Sequence, residues 1–140
     1  LARRPAILAT AGALALVTLA GLLLRLPALP PPAALACGIR GPVLTDYWNA
    51  KSLRLFSGGD IAAIPVTPSG DPYWWMDTRA RWRDAAPGAI LTERLDTDAN
   101  RTTYGVPDRL VPCGTGQLGY YDDPGRLGAV LASRPEAILP

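Results

Sequence analysis

The sequence predicts an α/β protein in two parts: one N-terminal transmembrane helix followed by a small layered α/β domain with a mixed sheet. Three observations predict it. Pro5 to Leu24 is a run of 20 residues without a charge, closed by Arg3 and Arg4 before it and Arg25 after it. Cys37 to Pro140 then leaves 104 residues, enough for one domain around a single core. Within that stretch, short strand patterns alternate with helix patterns before a hairpin signal, which implies a layered α/β architecture.

The apolar run comes first. About 20 residues at 1.5 Å each match the ~30 Å hydrocarbon core of a bilayer. Ala, Leu, Ile and Val dominate, and Gly12 and Gly21 are tolerated in membrane helices. A core helix of a soluble protein would show polar residues at a 3.6-residue period, whereas only Thr10 and Thr18 interrupt here. Arg3 and Arg4 favour a cytoplasmic N-terminus, although Arg25 weakens the asymmetry. The expected organisation is a transmembrane helix with basic flanks over 1–25, a Pro/Ala-rich linker over 26–36, and an extracytoplasmic domain over 37–140.

A cleaved signal peptide competes with this reading. Ala34-Leu35-Ala36 satisfies the small-x-small rule before Cys37, and Ala36-Cys37 is faintly similar to the site at which bacterial lipoproteins are processed and lipidated. Against it, Ala34 stands where that motif usually has Leu, and the run exceeds the 7–15 apolar residues of a signal peptide. The first residue is Leu and not Met, so the run is expected to be the last of several spans.

The formal charge of +2 belongs to the flanks of the run. Without Arg3, Arg4 and Arg25, 11 basic residues face 12 acidic ones, a net of −1, which argues against nucleic acid as a partner. Thirteen Arg against one Lys, with abundant Ala, Pro and Gly, is the usage of a high-GC bacterial genome. Two cysteines, Cys37 and Cys113, are most simply one disulfide in an oxidising compartment, closing a loop of about 77 residues. Two unrelated buried thiols are the alternative. With no His in the chain, two lone cysteines make a poor metal site, and no metal or cofactor is expected.

The elements follow in order. Leu26 to Ala36, with Pro27, Pro30, Pro31 and Pro32, reads as a stiff exit from the membrane. Pro42–Thr45 suits a short strand. Asp46-Tyr47-Trp48-Asn49 leads into a helix over Ala50–Phe56, where Trp48, Leu53 and Phe56 recur at helical spacing and Gly58-Gly59 stops it. Ile61–Val66 reads as a strand and Thr67–Pro72 as a turn. Tyr73–Arg83 fits helix or strand. Ala89–Glu93 is a strand candidate, and Asp98 or Asn100 can cap a short helix ending at Gly105. Arg109–Cys113 and Gln117–Tyr121 read as a hairpin joined at Gly114-Thr115-Gly116. Asp122 or Asp123 caps a last helix, with Pro124 in its first turn and its end near Ser133.

The absence of His excludes Ser-His-Asp and Cys-His sites, and no phosphate-loop or dinucleotide glycine pattern occurs, so no catalytic residue is assigned. Asp122-Asp123 reads as helix capping. The first binding candidate is Asp46-Tyr47-Trp48-Asn49 with Lys51, the only lysine, at a strand-to-helix junction where α/β sheets carry ligand sites. There a sugar would stack on Trp48 while Asp46 and Asn49 take its hydroxyls. The alternative is that Tyr47 and Trp48 fill the core and Asp46 caps the helix. Tyr73-Trp74-Trp75-Met76, with Trp82, is the second candidate, for a sugar or the membrane interface, with plain core as its alternative. Asn100-Arg101-Thr102 matches the N-glycosylation pattern, which reads as accidental in a bacterial chain.

Asp46-Tyr47-Trp48-Asn49-Ala50-Lys51-Ser52-Leu53, followed by Phe56-Ser57-Gly58-Gly59-Asp60-Ile61, resembles the soluble C-terminal region of bacterial polytopic membrane proteins related to family 39 glycosyltransferases. There a DYW-x-A stretch precedes a helix, a glycine turn and a strand. Tyr104-Gly105-Val106-Pro107 and Leu110-Val111-Pro112-Cys113-Gly114 are similar to the end of those domains, so the resemblance covers roughly 43–121. It implies an extracytoplasmic accessory domain after the last membrane helix of an enzyme that uses a lipid-linked sugar. The implied partners are membrane lipid and a lipid-linked sugar or glycan acceptor; the catalytic acid of such enzymes lies in a loop that nothing here matches. A stand-alone single-span or lipid-anchored envelope protein acting as a binding module is the other reading, and the sequence names no oligomeric state.

Overall fold

The computed structural model describes residues 14–21, 31–73 and 85–134. The chain divides into two units, Leu1–Pro30 and Pro31–Pro140. In the first, residues 14–21 are α-helical (α1). The Thr18 hydroxyl donates back to the carbonyls of Leu14 and Ala15, both at 2.9 Å, which satisfies it inside an apolar helix. Leu14, Leu16, Val17 and Leu19 are exposed. Among the described residues no helix is long and apolar enough to cross a membrane; the rest of the expected 5–24 span lies outside them.

The second unit is a small α/β domain. A 3-10 helix over Ala33–Cys37 leads to β1 (Val43–Thr45), α2 (Tyr47–Phe56), β2 (Ala63–Pro65), β3 (Ala89–Leu91), α3 (Thr97–Tyr104), β4 (Arg109–Cys113), β5 (Gly116–Tyr120) and α4 (Pro124–Ser133). The strands form the expected mixed sheet in the order β2-β1-β3-β5-β4. β1 is parallel to β2 and β3, and β5 is antiparallel to β3 and β4.

Three layers follow from the period-2 alternation of the strands. Val43, Ala63, Ala89 and Leu91 point to one face, where Ala50 and Leu53 of α2 and Ala34 of the 3-10 helix meet them. Leu44, Ile64 and Ile90 point to the other face, against Tyr104 at the end of α3 and Leu127 and Leu131 of α4. Because both faces are covered, every residue of β1, β2 and β3 is buried. Leu44, Leu53, Leu91, Leu118 and Leu127 are among the fully buried side chains, each contributing about 2 kcal/mol by its transfer from water.

Local signals set the boundaries with small differences from expectation. Asp46 caps α2, its Oδ1 accepting from the N–H groups of Trp48 and Asn49. Of the helical trio, only Leu53 enters the core; Trp48 and Phe56 are exposed. α3 is capped by Asp96, not by Asp98 or Asn100, because Asp96 Oδ1 takes the N–H groups of Asp98 and Ala99 while Asn100 turns inward. α4 is capped by Asp123. The hairpin turns on Gly114 and Thr115 alone, since Gly116 already pairs with Cys113. Gly114 takes φ 61°, the left-handed backbone that this tight turn requires.

Cys37 and Cys113 form a disulfide with Cα atoms 5.6 Å apart, joining the end of the 3-10 helix to the end of β4.

Candidate functional site

The three parallel strands all deliver their carboxyl ends to one side of the sheet. β1 leaves toward β2 through α2, and β3 leaves in the opposite direction through α3 toward the β4–β5 hairpin. Between β1 and β3, therefore, the chain connections diverge and open a crevice, the place where open α/β sheets bind ligands. A groove of about 400 Å³ lies there. After β1 it is lined by Asp46, Tyr47 and Trp48, after β2 by Val66, Thr67, Pro68 and Tyr73, and after β3 by Arg94. Its volume is that of a small-ligand site. A second concavity, bordered by Asn100, Tyr121 and Gly119, holds about 20 Å³, room for little more than a water molecule.

Aromatic rings build the wall. Tyr47 meets Trp48 edge to face with centroids 5.1 Å apart, and meets Tyr73 in the same way at 5.6 Å. Trp48 is 64% exposed, so it does not fill the core, and it presents an apolar ring at the groove. Lys51, one turn on, places its Nζ 5.4 Å from the centre of the Tyr47 ring, a cation–π contact.

Beneath the rings the polar side chains bond to one another. Asp46 Oδ1 caps α2, and Oδ2 accepts from Asn49 Nδ2 at 2.6 Å and from the Thr45 hydroxyl at 3.5 Å. Asn49 Nδ2 also donates to Glu93 Oε2 at 3.2 Å, and the Thr115 hydroxyl donates to Glu93 Oε1 at 2.9 Å. The chain Asp46–Asn49–Glu93–Thr115 thus clamps α2, the β3–α3 loop and the hairpin turn together. The amide stands between the two carboxylates, which leaves no room for a sugar to lie between them as in a glycosidase. Among the described residues no group of His, Cys, Asp and Glu is placed to hold a metal ion.

The opposite wall is held from below. Asn100 Nδ2 donates to the Pro68 carbonyl at 2.7 Å, the Tyr104 hydroxyl donates to the Gly70 carbonyl, and Arg134 pairs with Asp71 at 2.7 Å. Within the loop, Asp71 N–H donates to the Thr67 hydroxyl, and Thr67 N–H to the Asp71 carbonyl. Asn100 is buried with both amide hydrogens engaged, one on Pro68 and one on Asp96, so its glycosylation pattern is inaccessible in the fold.

Tyr104 also makes the loop sensitive to alkali. Burial raises its phenol well above the ordinary tyrosine range, with Arg134 opposing the rise and Asp71 adding to it. In the unfolded chain the phenol ionises near the ordinary value of about 10. The neutral form is favoured by the fold, so its contribution is fully present below about pH 10 and is lost as pH rises above it. Wild-type stability is expected to fall above pH 10 by up to about 1.4 kcal/mol per pH unit more steeply than that of Tyr104→Phe. Urea unfolding from pH 9 to 11.5 measures this, and parallel slopes would contradict it.

No family model matches this chain, and no curated protein or solved structure does. The site therefore stands on its own geometry. Of the residues expected from sequence, Asp46, Tyr47 and Trp48 come together in the groove, while Asn49 lies in the clamp and Lys51 on the Tyr47 ring. Trp74 and Trp75 lie outside the described residues. Tyr73, the first residue of the second aromatic candidate, joins the first. Sequence reasoning missed Thr67, Pro68, Glu93 and Arg94. A signal was present for the last two: Glu93 ends the Ala89–Glu93 strand pattern and Arg94 follows it, at the strand end where ligand sites gather.

Proposed function

We propose that this chain is a membrane-anchored domain of the bacterial envelope that binds sugar in the groove beside Trp48. On this reading residues 5–24 are a single transmembrane span and the domain after the linker is extracytoplasmic. The domain serves as the C-terminal accessory part of a polytopic, glycosyltransferase-like protein that uses a lipid-linked sugar. The observation that carries the binding reading is the aromatic wall of Tyr47, Trp48 and Tyr73 at the carboxyl ends of the parallel strands. The disulfide supports the compartment, since such bonds persist in oxidising surroundings. The Asp46-Tyr47-Trp48 resemblance supports the enzyme context.

The test is binding of neutral mono- and oligosaccharides of glucose and mannose to the full chain in detergent micelles, followed by calorimetry. Trp48→Ala is expected to weaken binding at least about tenfold. Its melting temperature should stay within about 2 °C of wild type, because an exposed ring contributes little to the core. Failure of the wild-type chain to bind any sugar, neutral or charged, would overturn the reading. Equal loss of binding and stability in the variant would favour a packing role for Trp48.

A further inference from the structure

The polar groups of the groove are unevenly committed. The Asp46 carboxylate is taken by two backbone N–H groups, by Asn49 and by Thr45. The Thr67 hydroxyl is engaged with Ser69 and with the Asp71 N–H. Arg94 differs: it lines the groove, is exposed, and among the described residues makes no hydrogen bond or ion pair. A guanidinium offers five donors and no acceptor, in a planar fork that matches a carboxylate or a phosphate. The α2 N-terminus, by contrast, cannot serve an anion, because Asp46 already caps it. Among the described residues, the groove thus joins aromatic rings to a single cationic side chain, Arg94, on its exposed side.

We propose that the groove selects an anionic sugar, with the ring against Trp48 and a carboxylate or phosphate held by Arg94. This rests on the sugar-binding reading above and adds the charge of the ligand. An exposed guanidinium is screened by salt, so the preference for the charged ligand shrinks as ionic strength rises.

Titration of the full chain in detergent micelles with glucose, glucuronate, glucose 1-phosphate and inorganic phosphate tests it. At least one of the two anionic sugars should bind about tenfold or more tightly than glucose at low salt. A gain confined to glucuronate identifies a carboxylate ligand, and one confined to glucose 1-phosphate a phosphate ligand. Arg94→Ala should remove that advantage and Arg94→Lys should restore part of it, while Trp48→Ala weakens binding of the sugars generally. Circular dichroism confirms that the variants are folded. Equal affinity for glucose and both anionic sugars, or an advantage unchanged in Arg94→Ala, would overturn the proposal and leave the sugar site standing. Inorganic phosphate binding as tightly as glucose 1-phosphate, with no gain for glucuronate, would also overturn it. Failure of all three sugars to bind would overturn both.

Discussion

Replacing Cys37 and Cys113 together by Ser is expected to destabilise the domain by about 4.5 kcal/mol, the chain-entropy value for a closed loop of this length. Against a typical total of about 5–15 kcal/mol, that is a large share. The structure gives a local reason for a full effect. β4 is an edge strand whose side chains are mostly exposed, and Cys113 is its one buried residue. The 3-10 helix likewise buries only Ala34 completely. β4 is held by its ladder with β5 and the 3-10 helix by Ala34 and Leu35, and the sulfur bridge ties two elements that each contribute few apolar contacts. Urea unfolding of wild type with and without reductant, beside the double variant, should show the same lowered midpoint for the reduced and substituted proteins. An unchanged midpoint would mean that the bridge only decorates an already stable fold. Mass spectrometry of protein isolated from the envelope tests the compartment: two free thiols there would remove the support that the bridge lends to an extracytoplasmic location.

The fold was readable to the extent that its determinants are local. The run Val43-Leu44-Thr45 followed by Asp46 marks a buried strand and a helix cap, and the structure has both. Gly114, with strand patterns on either side, marks the hairpin, and Asp123 before Pro124 marks the last helix. Where the choice lay between neighbouring residues of equal capping strength, tertiary contacts decided it. Asp96, Asp98 and Asn100 can each cap α3, and the burial of Asn100 under the Pro68 carbonyl selects Asp96. The site was less readable for the same reason. Asp46 and Asn49 are chemically suited to bind hydroxyls, and nothing in their spacing reveals that Glu93, 44 residues beyond Asn49, engages the amide. The shared face expected for Trp48 and Leu53 fails on spacing: five residues are about 140° around a helix, so burying Leu53 turns Trp48 outward. Arg94 is one of 13 arginines; only the parallel pairing of β1 and β3 places it at the same end of the sheet as Trp48.

Gly116→Ala is expected to cost about 3 kcal/mol, the upper part of the range for overpacking, and to weaken the groove along with the fold. Gly116 opens β5 and pairs with Cys113. A Cβ there would lie 2.5 Å from Glu93 Cα and 2.6 Å from Glu93 N, both backbone atoms that no rotamer change can clear. The β3–α3 loop would have to retreat from the hairpin. That loop is bound to β5 through Thr92 and Gln117, whose N–H groups and side-chain hydroxyl make three hydrogen bonds of 2.9–3.1 Å. It also carries Glu93, the acceptor for Asn49 and Thr115, and Arg94, which lines the groove. Thr115→Ala separates the two consequences: it removes one hydrogen bond to Glu93 without moving the backbone and should cost only about 1 kcal/mol. Denaturant unfolding of the two variants therefore measures whether close backbone approach or the polar clamp holds the loop. If Gly116→Ala keeps the wild-type midpoint, the loop slides at little cost, and the wall bearing Arg94 is not fixed by the hairpin. If it falls by the expected amount while Thr115→Ala barely changes, the absence of a side chain at Gly116 is what sets the position of Arg94.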